Sequence, residues 1–98
     1  MTREERNKYY DKAMSLWGED AQINQMLEEM GELIVALNKY RRCVHYSPEK
    51  MEATMDNLFE EIADVKICLE QMENHFGNEK SEEYFNKKFQ KLINYLKN

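Results

Sequence analysis

Residues 19–42, EDAQINQMLEEMGELIVALNKYRR, contain the clearest amphipathic pattern in the chain. Their apolar residues recur at spacings of three and four, which is the period of one face of an α-helix. The members of this stripe are Ile23, Met26, Leu27, Met30, Leu33, Ile34 and Leu37. Because Gly18 interrupts the chain just before the stretch, a helix is predicted from Glu19 or Asp20 to about Arg42.

A helix on the N-terminal side of this stretch is predicted from its own start and stop signals. Thr2 and Glu5 have the spacing of a capping box, in which each side chain satisfies a backbone N–H at the helix start. Gly18 then ends the helix.

Two further helices are predicted on the C-terminal side. A connection at residues 44–46 leads to Ser47-Pro48-Glu49, which reads as an N-cap, a proline at the first helical position and an acid suited to the helix dipole. This helix ends near His75 or Phe76, with Gly77 as a left-handed cap. The last helix begins within residues 78–81.

Together these elements predict an all-α fold, a small four-helix-type bundle that occupies residues 1–98 as a single domain. The chain has three glycines and one proline, and strand-type alternation is absent, so long helices are favoured. A domain of 98 residues builds only a small core. Packing against a partner copy is therefore expected to complete the bundle.

Charge and hydropathy exclude several kinds of partner. The net charge of -5 repels a phosphate backbone, so no nucleic-acid partner is expected. No apolar run approaches the ~18 residues of a membrane span, and residues 1–10 are charged, which predicts no membrane partner and a cytoplasmic location. Cys43 and Cys68 lack CxxC spacing and are interpreted as reduced, structural thiols.

Two pairs of acidic residues hold corresponding positions on the two central helices. On a helical wheel, Glu29 and Glu32 lie at one edge of the apolar stripe, and Glu61 and Asp64 lie at the matching edge of the next helix. A single acid pair at this spacing is usually a solvated helix face. Two pairs in matched phase instead suggest that four carboxylates converge where the helices pack, which is costly without a cation.

The residue types at this position narrow the choice of ion. Carboxylates without imidazole favour a hard cation, so Mg²⁺, or alternatively Mn²⁺, is preferred over zinc or copper. A di-iron bundle would require histidines where Glu32 and Asp64 stand.

At this point the sequence resembles a known family. Glu28-Glu29-Met30-Gly31-Glu32-Leu33 followed by Glu60-Glu61-Ile62-Ala63-Asp64-Val65 is similar to the EExxE and ExxD signature of the MazG-like all-α nucleoside triphosphate pyrophosphohydrolases. The resemblance covers roughly residues 17–72.

The resemblance implies a Mg²⁺-dependent enzyme that hydrolyses a (deoxy)nucleoside triphosphate to the monophosphate and pyrophosphate. It also implies that the metal ligands are Glu29, Glu32, Glu61 and Asp64. Glu28, the first acid of the motif, would orient a ligand or help to activate water. Members of this size usually assemble as dimers or tetramers.

Other residues are candidates for binding the substrate. Trp17 could stack on a base whose edge is read by Gln22 or Gln25, although a tryptophan beside a helix break is more often part of the core. Lys39 and Arg42 could meet the outer phosphates, although basic residues at a helix end also simply complement its dipole.

A second class of function stays open from the sequence. The chain could be a non-catalytic helical interaction module, or a regulatory nucleotide-binding module that keeps the metal site without turnover. The last helix, rich in lysine and aromatic residues, could close the bundle, form the oligomer contact or cover the substrate.

Overall fold

The fold of residues 1–97, the part of the chain that the computed structural model describes, consists of helices. They are α1 (Arg3–Trp17), α2 (Glu19–Tyr46), a 3₁₀ turn (Pro48–Lys50), α3 (Met51–Phe76) and α4 (Asn78–Leu96). Residues 1–97 contain four α-helices and no strand, so the all-α prediction is confirmed. Asn98, the last residue of the predicted domain, lies outside the described residues.

Local signals set most of the helix ends. The capping box at α1 is formed, with the Glu5 amide donating to the Thr2 hydroxyl at 3.1 Å and the Thr2 amide donating to the Glu5 carboxylate at 3.2 Å. Gly18 and Gly77 separate consecutive helices and have φ values of +84° and +139°. Backbone with positive φ is accessible to glycine and strained for most other residues, so both glycines act as the predicted breaks.

The connection between α2 and α3 differs from the prediction. Residues 44–46 were expected to form a loop, but α2 continues to Tyr46, and the Ser47 amide still donates to the Cys43 carbonyl at 3.0 Å. Nothing in Val-His-Tyr removes a backbone donor, so the helix ends only where Pro48 prevents its continuation. Pro48 begins a 3₁₀ turn that the Ser47 side chain does not cap, and α3 starts at Met51.

The centre of the fold is an antiparallel pair formed by α2 and α3. Each helix contributes a row of buried or half-buried residues to the contact. The residues of each row are spaced three and four apart, which is the pattern of a helix–helix seam. In α2 the row comprises Gln22, Met26, Glu29, Leu33, Ala36, Tyr40 and Cys43, and in α3 it comprises Met51, Thr54, Leu58, Glu61, Val65, Cys68 and Met72.

This seam corrects the predicted stripe. The apolar residues of α2 were expected to face the core together, with the acids at its edge. Instead Glu29 and Glu61 lie within the seam itself, while Leu27, Ile34 and Leu37 are exposed. The apolar arc of α2 is wider than one helix neighbour can cover, so packing against α3 selects one side of it.

A polar network fastens α1 to the C-terminal half of α3. Arg6 binds both carboxylate oxygens of Glu70, at 2.8 and 3.0 Å, and the buried Tyr10 donates to the same carboxylate at 2.7 Å. Arg3 donates to the Glu70 carbonyl at 3.1 Å and to Asn78 at 3.0 Å. These contacts hold the pKa of the Glu70 carboxyl down at about 2, chiefly through the hydrogen bond from Arg6.

The last helix projects from the rest of the molecule. The radius of gyration is 16.8 Å, against about 13 Å for a compact chain of this length. α4 packs against α3 near Gly77, where Ser81 donates to Glu73 at 2.5 Å, and it contains no buried residue. Within one chain, α4 therefore does not close a four-helix bundle.

None of the helices in residues 1–97 combines the length and the apolar character that crossing a lipid bilayer requires.

The Glu70 network generates a pH-dependent contribution to stability. Because the folded pKa of Glu70 lies below its ordinary value of 4.5, the stabilisation is present above pH 4.5 and is lost as the pH falls toward 2. We expect the melting temperature of Glu70→Gln to lie below that of the parent by roughly 4 °C or more at pH 6, and this gap to narrow at pH 2.5. Thermal melts followed by circular dichroism measure both.

The matched control is Glu52→Gln, which removes one exposed carboxylate from the same helix. Because Glu52 lies in the first turn of α3, its loss removes only a small helix-dipole stabilisation, so at pH 6 its melting temperature should fall by less than that of Glu70→Gln. A gap for Glu70→Gln that stays constant with pH would contradict the assigned role of the carboxylate.

Candidate metal site and adjoining pocket

Three of the four predicted metal ligands meet in the α2–α3 seam. One carboxylate oxygen each from Glu29, Glu32 and Glu61 lies within 4.8 Å of the others. Glu29 and Glu61 are half-buried and Glu32 is exposed. Asp64 is not a member of this group of three, but it lines the neighbouring pocket together with Glu29.

The antiparallel register brings the acids together in pairs across the seam. Burial and then nearby charges, Asp64 among them, raise the pKa of Glu29, and burial and then Glu32 raise the pKa of Glu61, so these acids lie near one another across the seam. Moving three residues forward along α2, from Glu29 to Glu32, therefore corresponds to moving three residues backward along α3, from Asp64 to Glu61. Each carboxylate of α2 therefore has its own partner on α3.

Burial and mutual repulsion both disfavour the charged forms of these acids. Burial is the largest cause of the raised pKa of Glu29, followed by the charges of Glu32, Asp64 and Glu61. The pKa of Glu61 is raised by burial first and then by Glu32. Nearby carboxylates that cannot be fully solvated repel one another, and a bound cation would remove that penalty.

Two oxygen atoms of the cluster have no hydrogen-bond partner. Oε2 of Glu29 and Oε2 of Glu61 are buried and unpaired, although Oε1 of Glu29 accepts a hydrogen bond from Gln25 at 2.7 Å. A buried, unsatisfied carboxylate oxygen is costly, and a solvated acidic face would not contain one. The set of oxygen donors without nitrogen or sulfur suits Mg²⁺ or Mn²⁺, so the residues present fit the ion inferred from the sequence.

A pocket of about 580 Å³ opens beside the carboxylates, between the end of α1 and the α2–α3 pair. This volume lies within the range of small-molecule sites. Its lining combines apolar, amide and acidic side chains: Leu16, Trp17, Ala21, Gln22, Gln25, Glu29, Asp64, Ile67, Cys68 and Gln71. The acids thus form one part of the wall of a partly apolar cavity.

The three residues proposed to contact a base all line this pocket. Trp17 is 64% exposed, so it is not part of the core, and its contact with a base stays a prediction. Gln22 is only 6% exposed and accepts a hydrogen bond from Gln71 at 2.9 Å. That bond orients both amides, which leaves the Gln22 nitrogen and the Gln71 oxygen to pair with a ligand.

The remaining predicted residues lie away from the pocket. Glu28, Lys39 and Arg42 are exposed on α2 and do not line it. Lys39 lies two turns beyond Glu32, about 10 Å along the helix axis, in the direction opposite to Gln22.

Sequence reasoning missed Gln71 and the position of Cys68 in the pocket. Both positions follow from the antiparallel register in which Glu29 lies opposite Asp64. Gln71 is seven residues after Asp64 and Gln22 is seven residues before Glu29, so the two glutamines meet. Cys68 and Gln25, each four residues from the same acids, correspond in the same way. Both cysteines are free and buried, as predicted, and burial, followed by the charges of Glu29 and Asp64, raises the pKa of the Cys68 thiol.

Comparison with known proteins adds no relative. No protein-family model, curated protein or solved structure matched the chain. A metal site is therefore inferred from the geometry of the carboxylates and the pocket alone.

The cluster generates an expectation for metal binding. Because a ligand that binds only the folded state stabilises it, Mg²⁺ at about ten times its dissociation constant should raise the melting temperature by roughly 5–10 °C. Glu61→Gln should lose this rise. In the presence of a chelator at pH 7.5 it should melt no lower than the parent, because the neutral amide relieves carboxylate repulsion.

The control is again Glu52→Gln, which should keep the full response to Mg²⁺. An equal rise in the parent and in Glu61→Gln would show that the ion binds elsewhere.

Proposed function

We propose that the protein hydrolyses a (deoxy)nucleoside triphosphate, in the presence of Mg²⁺ or Mn²⁺, to the monophosphate and pyrophosphate. The observation that carries the proposal is a cluster of carboxylates with two unpaired buried oxygens, which adjoins, through Glu29 and Asp64, a pocket lined by tryptophan and glutamine. Divalent cations reconcile an acidic site with a polyanionic substrate. The MazG-like resemblance of residues 28–33 and 60–65 implies the same reaction.

The candidate residues follow the order of the groups in a nucleoside triphosphate. Trp17 ends α1 and Gln22 lies near the start of α2. Glu29 and Glu32 follow on α2, and Lys39 lies further along that helix. In the proposed binding mode the base stacks on Trp17 and pairs with the Gln22–Gln71 amides. The phosphates then extend past the carboxylates toward Lys39 and Arg42.

The proposed reaction divides the chemistry among these residues. Glu29, Glu32, Glu61 and Asp64 would hold a divalent metal, which when bound would neutralise phosphate charge and lower the pKa of the attacking water. Glu28 accepts the proton of that water. Water adds to the α-phosphorus, the bond from that phosphorus to the bridging oxygen breaks, and pyrophosphate leaves with that oxygen. No residue becomes covalently modified.

Assembly and location belong to the same proposal. A second copy is expected because the described core is small: its buried apolar residues are Tyr10, Ala36, Cys43, Leu58, Val65 and Cys68. Large apolar side chains on α2, α3 and α4 are exposed. The protein is therefore proposed to act as a homodimer or homotetramer in the cytoplasm.

A substrate panel tests the reaction. Purified protein with Mg²⁺ should release pyrophosphate from at least one of the common NTPs and dNTPs. Glu61→Gln should lower the rate at saturating substrate by at least about 10²-fold, because it removes a metal ligand while the helices stay intact. Glu52→Gln should keep the parent rate.

Two results would point elsewhere. Folded protein that binds Mg²⁺ and a triphosphate but releases no pyrophosphate would favour a regulatory nucleotide-binding module. Folded protein that responds neither to Mg²⁺ nor to any triphosphate would favour a non-catalytic interaction module.

A further inference from the structure

The C-terminal part of α4 differs in charge from the rest of the chain. Residues 84–97 contain Lys87, Lys88, Lys91 and Lys97 and no acidic residue. The net charge of -5 therefore divides into +4 for residues 84–97 and -9 for the residues before them. We call residues 84–97 the arm and residues 1–83 the body.

The arm has an apolar row that nothing in its own chain covers. Phe85, Phe89, Leu92 and Leu96 recur at spacings of four and three, and they are 64%, 50%, 48% and 77% exposed. The rings of Phe85 and Phe89 stack with their centroids 6.0 Å apart, so together they form one continuous aromatic surface. A helix with this pattern requires an apolar surface to pack against.

The body has an uncovered apolar row of its own. Leu27, Met30, Ile34 and Leu37 recur along α2 at spacings of three and four on a flank of the helix beside the seam with α3, and all four are exposed. Gly31 lies beside this row, and no atom lies within 4 Å of the position its Cβ would take, so a neighbouring helix has room to approach. We call this row the open face.

We propose that the arm of one chain packs on the open face of a second copy, and that the second copy returns its own arm in the same way. The positive arm and the negative body attract each other, whereas contact between two arms would bring like charges together. This inference deepens the assembly part of the proposed function and is independent of the hydrolysis.

The apolar area that can be buried distinguishes packing of an arm on an open face from contact between two arms. The four apolar side chains of one arm expose roughly 400 Å², so two arms on two open faces bury roughly 1,600 Å² in all, the size of a standard specific interface. Contact between two arms alone buries roughly half of that, which is the range of weak or crystal-packing contacts.

Two double variants separate the arm from the open face. Phe89→Gln with Leu92→Gln removes the arm contact, and Leu27→Gln with Ile34→Gln removes the open face. All four positions are exposed, so circular dichroism should show parental helicity. Sedimentation equilibrium should find the parent as a dimer or higher multiple, and each double variant at least tenfold weaker in association. Gln90→Ala, on the opposite side of α4, should associate like the parent.

Mixing the two double variants provides the decisive measurement. The arm variant keeps an intact open face and the face variant keeps an intact arm, so the mixture should form a heterodimer through one arm, more tightly than either variant associates alone. A face variant that remains as oligomeric as the parent, with a mixture that gains nothing, overturns the proposal in favour of contact between arms.

A monomeric parent also overturns the proposal, together with the proposed assembly. Binding of that monomer to phosphatidylserine vesicles, but not to phosphatidylcholine vesicles, would then assign the basic arm to an anionic membrane surface. Because every readout is a mass or a binding signal, the result does not depend on whether pyrophosphate is released.

Discussion

The structure depends on one unusual constraint, the presence of paired carboxylates inside the seam between α2 and α3. Glu29 and Glu61 occupy positions where a helix pair normally buries apolar side chains, and each has an oxygen that is buried without a partner. Apolar residues such as Leu58 and Val65 supply the packing on either side. Carboxylates that this packing holds close together have the arrangement that a preorganised cation site requires.

The other helices determine what surrounds these carboxylates. α1 is held on α3 by Arg6, Tyr10 and Glu70, and its last residue, Trp17, is thereby placed at the pocket. The turn at Gly18 then leads directly into Gln22, whose amide is oriented by Gln71. The contacts of Arg6 and Tyr10 with Glu70 thus position Trp17 at the other end of α1, together with the Gln22 amide that follows it.

How much was predictable differs between the fold and the site. The helix ends at Gly18 and Gly77 followed from local backbone chemistry, which depends on adjacent residues alone. The end of α2 was predicted a turn too early, because the composition of Val44 and His45 does not show whether hydrogen bonds continue through them. The carboxylates were placed at the edge of the stripe, because a wheel ranks residues by hydropathy and assigns acids to the outside.

The sequence by itself determined that the chain is helical and that its acids share a phase on two helices, since both properties are periodicities along one dimension. Only the tertiary structure decided which side of α2 faces α3. The apolar arc of α2 is wider than the surface that one neighbouring helix covers, so α2 could pack with either side of the arc against α3. This choice of side placed Glu29 in the seam, paired Gln22 with Gln71 and left Leu27 and Ile34 uncovered. Relations between helices distant along the chain are set by packing, which no local pattern contains.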